Sequence, residues 1–205
     1  MDLIEGTKQK GRPFEIPDAS RDDLPEFFVQ MGYKVGAEIG VYKGEFSEKF
    51  CKAGLKLYAI DPWREYLGFR HPRGQRRLDE QYEDTNRLLS PYENCTIIRK
   101  ASMEAVEDFG DESLDFVYID GNHNFRYIAE DLYEWSRKIK KGGIVSGHDY
   151  FYTKSGSGLG HWHVAYVLKA YIDAYNIPNW YLIGRKDVRP GEKRDKWRSW
   201  MFVKT

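Results

Sequence analysis

Two apolar segments, each followed at once by acidic and histidine residues, constrain the fold of this chain most strongly. Leu114 to Ile119 leads into Asp120-Gly121-Asn122-His123. Gly143 to Gly147 leads into His148-Asp149. Short apolar runs that end in polar residues are typical of buried strands whose ends carry functional side chains.

The segment between these two runs predicts how they are connected. Residues 125–140 have apolar side chains at the three-to-four spacing of an amphipathic helix, with Asn124 as the predicted cap and Gly142-Gly143 as the predicted end. A strand-helix-strand crossover joins parallel neighbours and is right-handed, so both strands end at one edge of the sheet. Ligands of α/β proteins bind at that edge, and we expect one shared site there. Its predicted members are Asp120, His123, His148 and Asp149.

The same alternation of strands and helices extends over most of the chain. Predicted strands cover 35–39, 55–60, 96–99, 114–119 and 144–146, and predicted helices lie near 45–52, 75–89, 103–109 and 162–175. The segments 180–183 and 200–203 have the pattern of an antiparallel hairpin. We therefore predict a single-domain α/β fold, a Rossmann-like doubly wound sheet that is mostly parallel with a C-terminal antiparallel hairpin. Residues 1–34 are predicted as an N-terminal extension with a leading helix, and 35–205 as the domain itself.

Charge and hydropathy exclude several classes of partner. The chain has 205 residues, with 32 basic and 32 acidic side chains, and so lacks the positive excess of a dedicated nucleic-acid or membrane-surface protein. It has neither an apolar signal core near its start nor a run of about twenty apolar residues. We expect a cytoplasmic protein with no membrane or nucleic-acid partner. The oligomeric state stays open, and a homodimer is one option.

A glycine-containing turn after the first predicted strand indicates a nucleotide-type cofactor. Gly40 and Gly44 allow a tight strand-to-helix reversal, and Asp61, at the end of the next strand, is placed to bind ribose hydroxyls. Tyr42 stands where a dinucleotide site needs glycine, and Glu38 would bring a carboxylate near two phosphates. NAD therefore fits poorly. A cofactor without phosphates, with an amino group for Glu38, a carboxylate for the helix amides and a ribose for Asp61, fits better, and S-adenosylmethionine is such a molecule.

Four motifs together resemble the class I S-adenosylmethionine-dependent methyltransferases. They are 37–44 (AEIGVYKG), Asp61 in IDPW, 118–123 (YIDGNH) and 141–150 (KGGIVSGHDY). Within that class they are similar to the macrocin-type sugar O-methyltransferases, over roughly residues 36–175. The resemblance implies that 35–205 is a methyltransferase domain.

The resemblance also implies roles for single residues. Asp120 and Asp149 would be ligands of a divalent metal, with His148 as a further ligand, and His123 would be the general base, with Asp120 beside it in catalysis. Because related enzymes often have a second acidic residue at the position of His148, the metal stays open between magnesium and manganese, as does whether one is bound. Trp63 and Ser102 occupy places where this class often meets adenine. The residues implied in cofactor binding are Glu38, Gly40, Tyr42, Gly44, Asp61, Trp63, Ser102 and Asp120.

Two loops are predicted to concern the acceptor. The segment 63–77 contains five arginines and is predicted as a lid-like loop, and the aromatic segment 150–163 is predicted to hold the acceptor. The basic stretch 185–198 is predicted to be a solvated hairpin loop.

The expected function is metal-assisted methyl transfer to a hydroxyl of a sugar or glycan, with His123 as base. A catechol or other phenolic acceptor is the first alternative. An NAD-dependent oxidoreductase, a nucleic-acid methyltransferase and a non-catalytic cofactor-binding domain stay open beside it.

Overall fold

The computed structural model describes residues 1–66, 74–152, 162–187 and 189–205. Its strands are β1 (Phe14–Ile16), β2 (Val35–Ile39), β3 (Lys56–Ile60), β4 (Cys95–Ile98), β5 (Leu114–Ile119), β6 (Ile139–Tyr150), β7 (Trp180–Ile183) and β8 (Arg198–Val203). Its helices are α1 (Leu3–Thr7), α2 (Leu24–Gln30), α3 (Glu45–Lys52), α4 (Gln75–Leu89), α5 (Ser102–Ala105), α6 (Phe125–Lys138) and α7 (Val164–Ala174). Short 3-10 turns cover Arg21–Asp23 and Val106–Asp108.

The described strands form one sheet in the order β1-β7-β8-β6-β5-β2-β3-β4. All pairings are parallel except those of β8, which runs antiparallel to both β6 and β7. The predicted Rossmann-like sheet, mostly parallel with a C-terminal antiparallel hairpin, is therefore confirmed. The strand order reverses between β2 and β5, and such a reversal opens a crevice at the carboxyl ends of the strands.

Helices pack on both faces of the sheet because each has an apolar stripe. On one face α6 buries Ile128, Leu132 and Trp135, which recur at helical spacing. On the other face the ring of Phe116 in β5 stacks on Phe28 of α2, with the ring centroids 4.4 Å apart. Two buried apolar clusters, one on each face, thus hold the carboxyl ends of β2 and β5 side by side.

The connection from α6 to β6 differs from the predicted one. The helix ends at Lys138, and Ile139 already pairs with Leu114, so Gly142-Gly143 does not end the helix. These glycines lie inside an irregular stretch of β6, where the Gly142 N–H donates to the carbonyl of Lys204 at 2.8 Å. The predicted strand 144–146 is correspondingly longer, since pairing with β8 extends it to Tyr150.

The N-terminal segment adds an edge strand to the sheet. Phe14–Ile16 pairs in parallel with Tyr181 to Ile183 of β7. Within the described ranges, no helix combines the length and the apolar character needed to cross a bilayer.

Candidate functional site

The register of the sheet brings the predicted site residues into one row. Ile39 of β2 is paired with Ile60 of β3 on one side and with Ile119 of β5 on the other. Ile119 is in turn paired with Gly147 of β6. Adjacent strands lie about 4.8 Å apart. The next residue of each strand therefore joins the same row, which consists of Asp61, Gly40, Asp120 and His148.

Gly40 is required where β2 meets β5. Its φ is +92°, in the left-handed region that favours glycine. A Cβ at this position would lie 2.3 Å from the carbonyl oxygen of Asp120. The Asp120 N–H donates to the carbonyl of Ile39 at 2.8 Å, which holds the two strand ends together. The close approach of these two backbones thus places the Asp120 side chain beside the turn.

The turn after β2 is tied to Asp61. One carboxylate oxygen of Asp61 accepts the N–H of Tyr42 at 3.0 Å, and the other accepts the N–H of Trp63 at 2.9 Å. Burial raises the pKa of Asp61, and the backbone N–H groups oppose that shift. The indole of Trp63 is buried and donates to the carbonyl of Tyr42 at 2.9 Å. The Trp63 indole therefore supports the turn, and its ring N–H already donates to the backbone.

Glu38 and Gly44 lie behind the turn. The Glu38 carboxyl group is buried and accepts a hydrogen bond from the hydroxyl of Ser47 in α3. Burial raises the pKa of Glu38 to about 8. Gly44, with a φ of +80°, precedes α3, and its N–H donates to the carbonyl of Val41 at 3.0 Å.

The four acidic and histidine residues predicted to share a site lie together. Nε2 of His123 is 3.0 Å from Oδ2 of Asp149 and 3.6 Å from Oδ1 of Asp120. Nδ1 of His148 is 3.1 Å from Oδ1 of Asp149 and 4.0 Å from Oδ2 of Asp120. Each imidazole is therefore flanked by both carboxylates.

The fold of β6 explains how His148 and Asp149 enter this cluster. The register with β8 shifts between Gly147 and Tyr150, and Asp149 has a φ of +58°. Such an irregularity re-aims side chains that would otherwise alternate across the sheet. The strand thus does not end before His148, as the sequence pattern predicted, but bulges there.

Charge pairing sets the protonation of the cluster. Burial would raise the pKa of Asp149, but the two imidazoles hold the pKa of that carboxyl well below its usual range. Burial would lower the pKa of His123, but the nearby carboxylates of Asp120 and Asp149 raise it to about 9. At neutral pH this arrangement contains an imidazolium ion between two carboxylates.

The same cluster has the donor spacing of a metal site. Asp120, His123 and Asp149 each offer one ligand atom, and these atoms lie within 4.8 Å of one another. Two carboxylate oxygens and an imidazole nitrogen suit a hard or borderline divalent cation.

A cavity of about 1050 Å³ lies over the row of strand ends. Its wall includes Asp61 and Trp63 after β3, Ser102 in α5, and Asp120 and His123 after β5. Among the described residues, Glu38, Gly44, His148 and Asp149 are not part of this wall. The cavity is as large as the pockets that hold drug-sized ligands and cofactors.

Two charged residues of the site were missed by the sequence analysis. Arg21, in the first 3-10 turn, places Nη1 3.4 Å from Oδ2 of Asp120, and its guanidinium lies 5.1 Å from the ring centre of Phe46. Asp131 of α6 lines the cavity and is 3% exposed. Arg21 has no local signal, but Asp131 lies three residues after Ile128 and four before Trp135, which places an acid on the apolar face of the helix.

Aromatic rings extend from His123 toward the surface. The imidazole stacks on Trp162 with 4.6 Å between centroids, Trp162 contacts Phe151 at 5.0 Å, and Phe151 stacks on Trp197 at 4.3 Å. Trp197 belongs to the stretch predicted as a solvated loop, yet its ring is packed on one face. His163 does not line the cavity but accepts the Phe125 N–H at 3.0 Å, at the start of α6.

Parts of the two predicted loops lie outside the described residues. These parts are 67–73 of the lid-like loop and 153–161 of the acceptor loop. Helix α4 begins at Gln75, where the predicted helix 75–89 begins, so residues 75–77 of the lid-like segment are helical.

Comparisons with known proteins agree with this architecture. A protein from Sinorhizobium fredii (strain NBRC 101917 / NGR234), the uncharacterized protein y4gI, is 28% identical over 152 residues, which are 69% of this chain and 16% of that protein. The chain thus spans about one sixth of the length of this curated relative.

Solved structures of O-methyltransferases have a similar fold. The Bacillus cereus O-methyltransferase in complex with SAH superposes with a TM-score of 0.60 at 11% identity, covering 90% of this chain and 80% of that one. The O-methyltransferase TomG from Streptomyces achromogenes, involved in tomaymycin synthesis and solved with SAM, gives 0.58 at 13% identity, covering 90% and 79%.

The family itself is shown by a sequence model. A model described as a methyltransferase domain matches residues 37–150, more than half of the chain and the part that carries β2 to β6. The chain therefore belongs to the methyltransferase domain family, as the resemblance in its sequence indicated.

Proposed function

We propose that this domain transfers the methyl group of S-adenosylmethionine to a hydroxyl group of a small-molecule acceptor. Sugar and glycan hydroxyls are the first acceptor class, and catechols or other phenols are the second. The observation that carries the proposal is one cavity whose wall includes both the ribose-type acid Asp61 and the pair Asp120 and His123. A donor held at Asp61 would thus present its methyl group at the acid and histidine cluster.

The donor end is built around Asp61. Each of its carboxylate oxygens accepts one backbone N–H, which fixes the carboxylate plane and leaves lone pairs for the two ribose hydroxyls. Glu38 is not assigned a direct contact with the cofactor, because its carboxyl group accepts a hydrogen bond from Ser47 and does not line the cavity. Its role in this proposal is to hold the start of α3 against β2.

The acceptor end has the residues for a metal and a base, and these two tasks need different donors. Asp120 and Asp149 would hold a divalent cation, and the expected metal is magnesium or manganese. Nδ1 of His148, 3.1 Å from Asp149 and 4.0 Å from Asp120, would take the place of His123 as the third donor. Such a cation would supply positive charge that fixes and acidifies an acceptor hydroxyl. His123 is reserved for the proton, because a nitrogen that ligates a cation has no lone pair left for it.

Methyl transfer is an in-line displacement at carbon. The acceptor oxygen forms a bond to the methyl carbon as the carbon–sulfur bond breaks, and the hydroxyl proton passes to Nε2 of His123. Asp149, 3.0 Å from that nitrogen, stabilises the charged form of the imidazole once Nε2 holds the proton. Without a metal ion, Asp120 and Asp149 raise the pKa of His123 to about 9, so the neutral base then forms on the alkaline side of neutrality. A cation bound to the same carboxylates would oppose this rise.

Two experiments test the proposal in sequence. Calorimetry with S-adenosylhomocysteine measures cofactor binding, and no binding by the folded protein would end the proposal. Transfer of a labelled methyl group to a panel of sugars, glycans and catechols, with magnesium, manganese or chelator, then identifies the acceptor class. Product formed only on amines or nucleic acid would contradict transfer to a hydroxyl group. Equal rates with metal and with chelator would show that the reaction needs no metal.

A further inference from the structure

The two oxygens of the Asp120 carboxylate face different partners. Oδ1 is 3.6 Å from Nε2 of His123, the proposed base. Oδ2 is 4.0 Å from Nδ1 of His148 and 3.4 Å from Nη1 of Arg21. The same His148 nitrogen is 3.1 Å from Oδ1 of Asp149. Oδ2 is therefore the Asp120 oxygen on the side of the donors proposed for a cation, and a guanidinium of the protein already lies beside it.

Arg21 reaches this oxygen from the N-terminal 3-10 turn, outside the residues that the family model matches. Its guanidinium lies 5.1 Å from the ring centre of Phe46, and its backbone N–H donates to Oδ2 of Asp195 at 2.7 Å. The side chain of Arg21 is 36% exposed and that of Asp120 is 22% exposed. A positive charge is thus held beside a carboxylate that solvent screens only in part.

The contact between Arg21 and Asp120 supplies charge more than a rigid hold. A strong bond between a guanidinium and a carboxylate is about 2.7–2.9 Å long, and this contact is longer, at 3.4 Å. The guanidinium keeps its charge throughout the pH range of folded proteins. A divalent cation seeks the same kind of oxygen, carries twice the charge, and is repelled by the guanidinium. The two cations are therefore alternatives at one oxygen.

Building on the proposed function, we infer that Arg21 is an internal counter-ion that competes with a divalent cation for Oδ2 of Asp120. Its charge lowers the affinity of the cluster for that cation, so Arg21 is a positioning residue that acts through Asp120. Removing the charge should tighten metal binding. A residue that only held Asp120 in place would have the opposite effect, because its loss would let the carboxylate turn away and would weaken metal binding.

Calorimetry with Mn²⁺ on protein freed of metal tests the inference. Arg21→Gln removes the charge but keeps an N–H donor for Asp120, and its dissociation constant for Mn²⁺ should be at least about tenfold lower than that of the wild type. Arg21→Lys keeps the charge and should stay within about threefold of the wild type. Arg12→Gln is the matched control, since this arginine pairs with the exposed Asp173, and its affinity for Mn²⁺ should equal that of the wild type.

Several results would overturn the inference. Unchanged or weaker Mn²⁺ binding in Arg21→Gln refutes it, as does binding in Arg21→Lys that is as tight as in Arg21→Gln. Binding that persists in Asp149→Asn would place the ion elsewhere and has the same consequence. If neither the wild type nor Arg21→Gln binds Mn²⁺, both the metal site and the role of Arg21 are wrong.

The proposed methyl transfer is judged by a separate measurement. Calorimetry with S-adenosylhomocysteine on the same preparations shows whether the cofactor binds. Binding of that compound together with a failed Mn²⁺ result refutes only the inference on Arg21. No binding of that compound by the folded wild type refutes the proposed function. Thermal unfolding of each variant shows that the comparison is made on folded protein.

Discussion

Replacing Gly40 by alanine should destabilise the protein through clashes with the backbone of Asp120 and Gly121. The new Cβ would lie 2.3 Å from that oxygen and 2.6 Å from the carbonyl carbon, both of which are backbone atoms of the adjacent strand end. These atoms cannot rotate away as a flexible side chain could. The ends of β2 and β5 would therefore have to separate.

The structure offers a matched control for this substitution. Gly54 also has a positive φ, +85° against +92° for Gly40, but a Cβ there would meet nothing within 4 Å. Gly54→Ala should cost only the left-handed backbone penalty, roughly 1–2 kcal/mol. Gly40→Ala adds overpacking worth about 1–3 kcal/mol more. Both substitutions reduce the freedom of the unfolded chain equally, so the difference between them isolates the contact.

Urea denaturation followed by tryptophan fluorescence measures both variants, since the chain has six tryptophans. The midpoint of Gly40→Ala should lie below that of Gly54→Ala at an unchanged m-value. In the folded state Gly40→Ala should also bind S-adenosylhomocysteine more weakly than Gly54→Ala, because the turn and Asp120 move apart. Equal stability and equal affinity of the two variants would refute the reasoning.

Three further substitutions test the site. The methyl-transfer rate should rise with pH above neutrality, because the pKa of His123 is raised, and this rise should be absent in His123→Gln; the same pH-rate profile in both proteins would show that His123 is not the base. The raised pKa of His123 stabilises the fold fully below its ordinary value of 6.5, so unfolding free energy should fall as pH rises through about 9, and less so in His123→Gln. Asp61→Asn should weaken S-adenosylhomocysteine binding about tenfold or more, measured by calorimetry, whereas the exposed Asp84→Asn should not. Trp162→Ala should raise the Michaelis constant for the acceptor and leave cofactor affinity unchanged; a loss confined to the cofactor would contradict the acceptor role.

The sequence predicted the row of strand ends because parallel pairing is a strong constraint. Once Leu114 to Ile119 and the strand before His148 are parallel neighbours, Asp120 and His148 must lie side by side, and the register confirms it. The nearness of Asp120 and His148 follows from this constraint, whereas Asp149 enters the cluster through the irregularity of β6. Alternation of helices and strands likewise predicted the sheet, since it depends on many residues rather than on one.

What the sequence did not predict depends on single long-range contacts. The start of α6 was expected to be capped by Asn124, but its side chain makes no capping bond, and His163 accepts the first N–H instead. The three-residue β1 is too short to show a period, and it becomes a strand only because β7 offers an open edge. In the sequence Asp131 is one of several polar residues of α6. Only its spacing from Ile128 and Trp135 shows that it lies on the buried face of the helix.

The part of the site around Asp120 includes segments that the family match does not cover. The Arg21 N–H donates to Oδ2 of Asp195 at 2.7 Å, and the N–H of Lys193 donates to Oδ1 of Asp18 at 2.8 Å. These bonds fasten the N-terminal turn to the segment before β8, and they hold the Arg21 side chain near Asp120, 99 positions away in the sequence. Asp120 therefore faces two cations of the protein, the guanidinium of Arg21 and the imidazolium of His123. Charge at this carboxylate affects the proton on His123 and, in the proposed mechanism, the affinity for a metal, so the chemistry of the site depends on both ends of the chain.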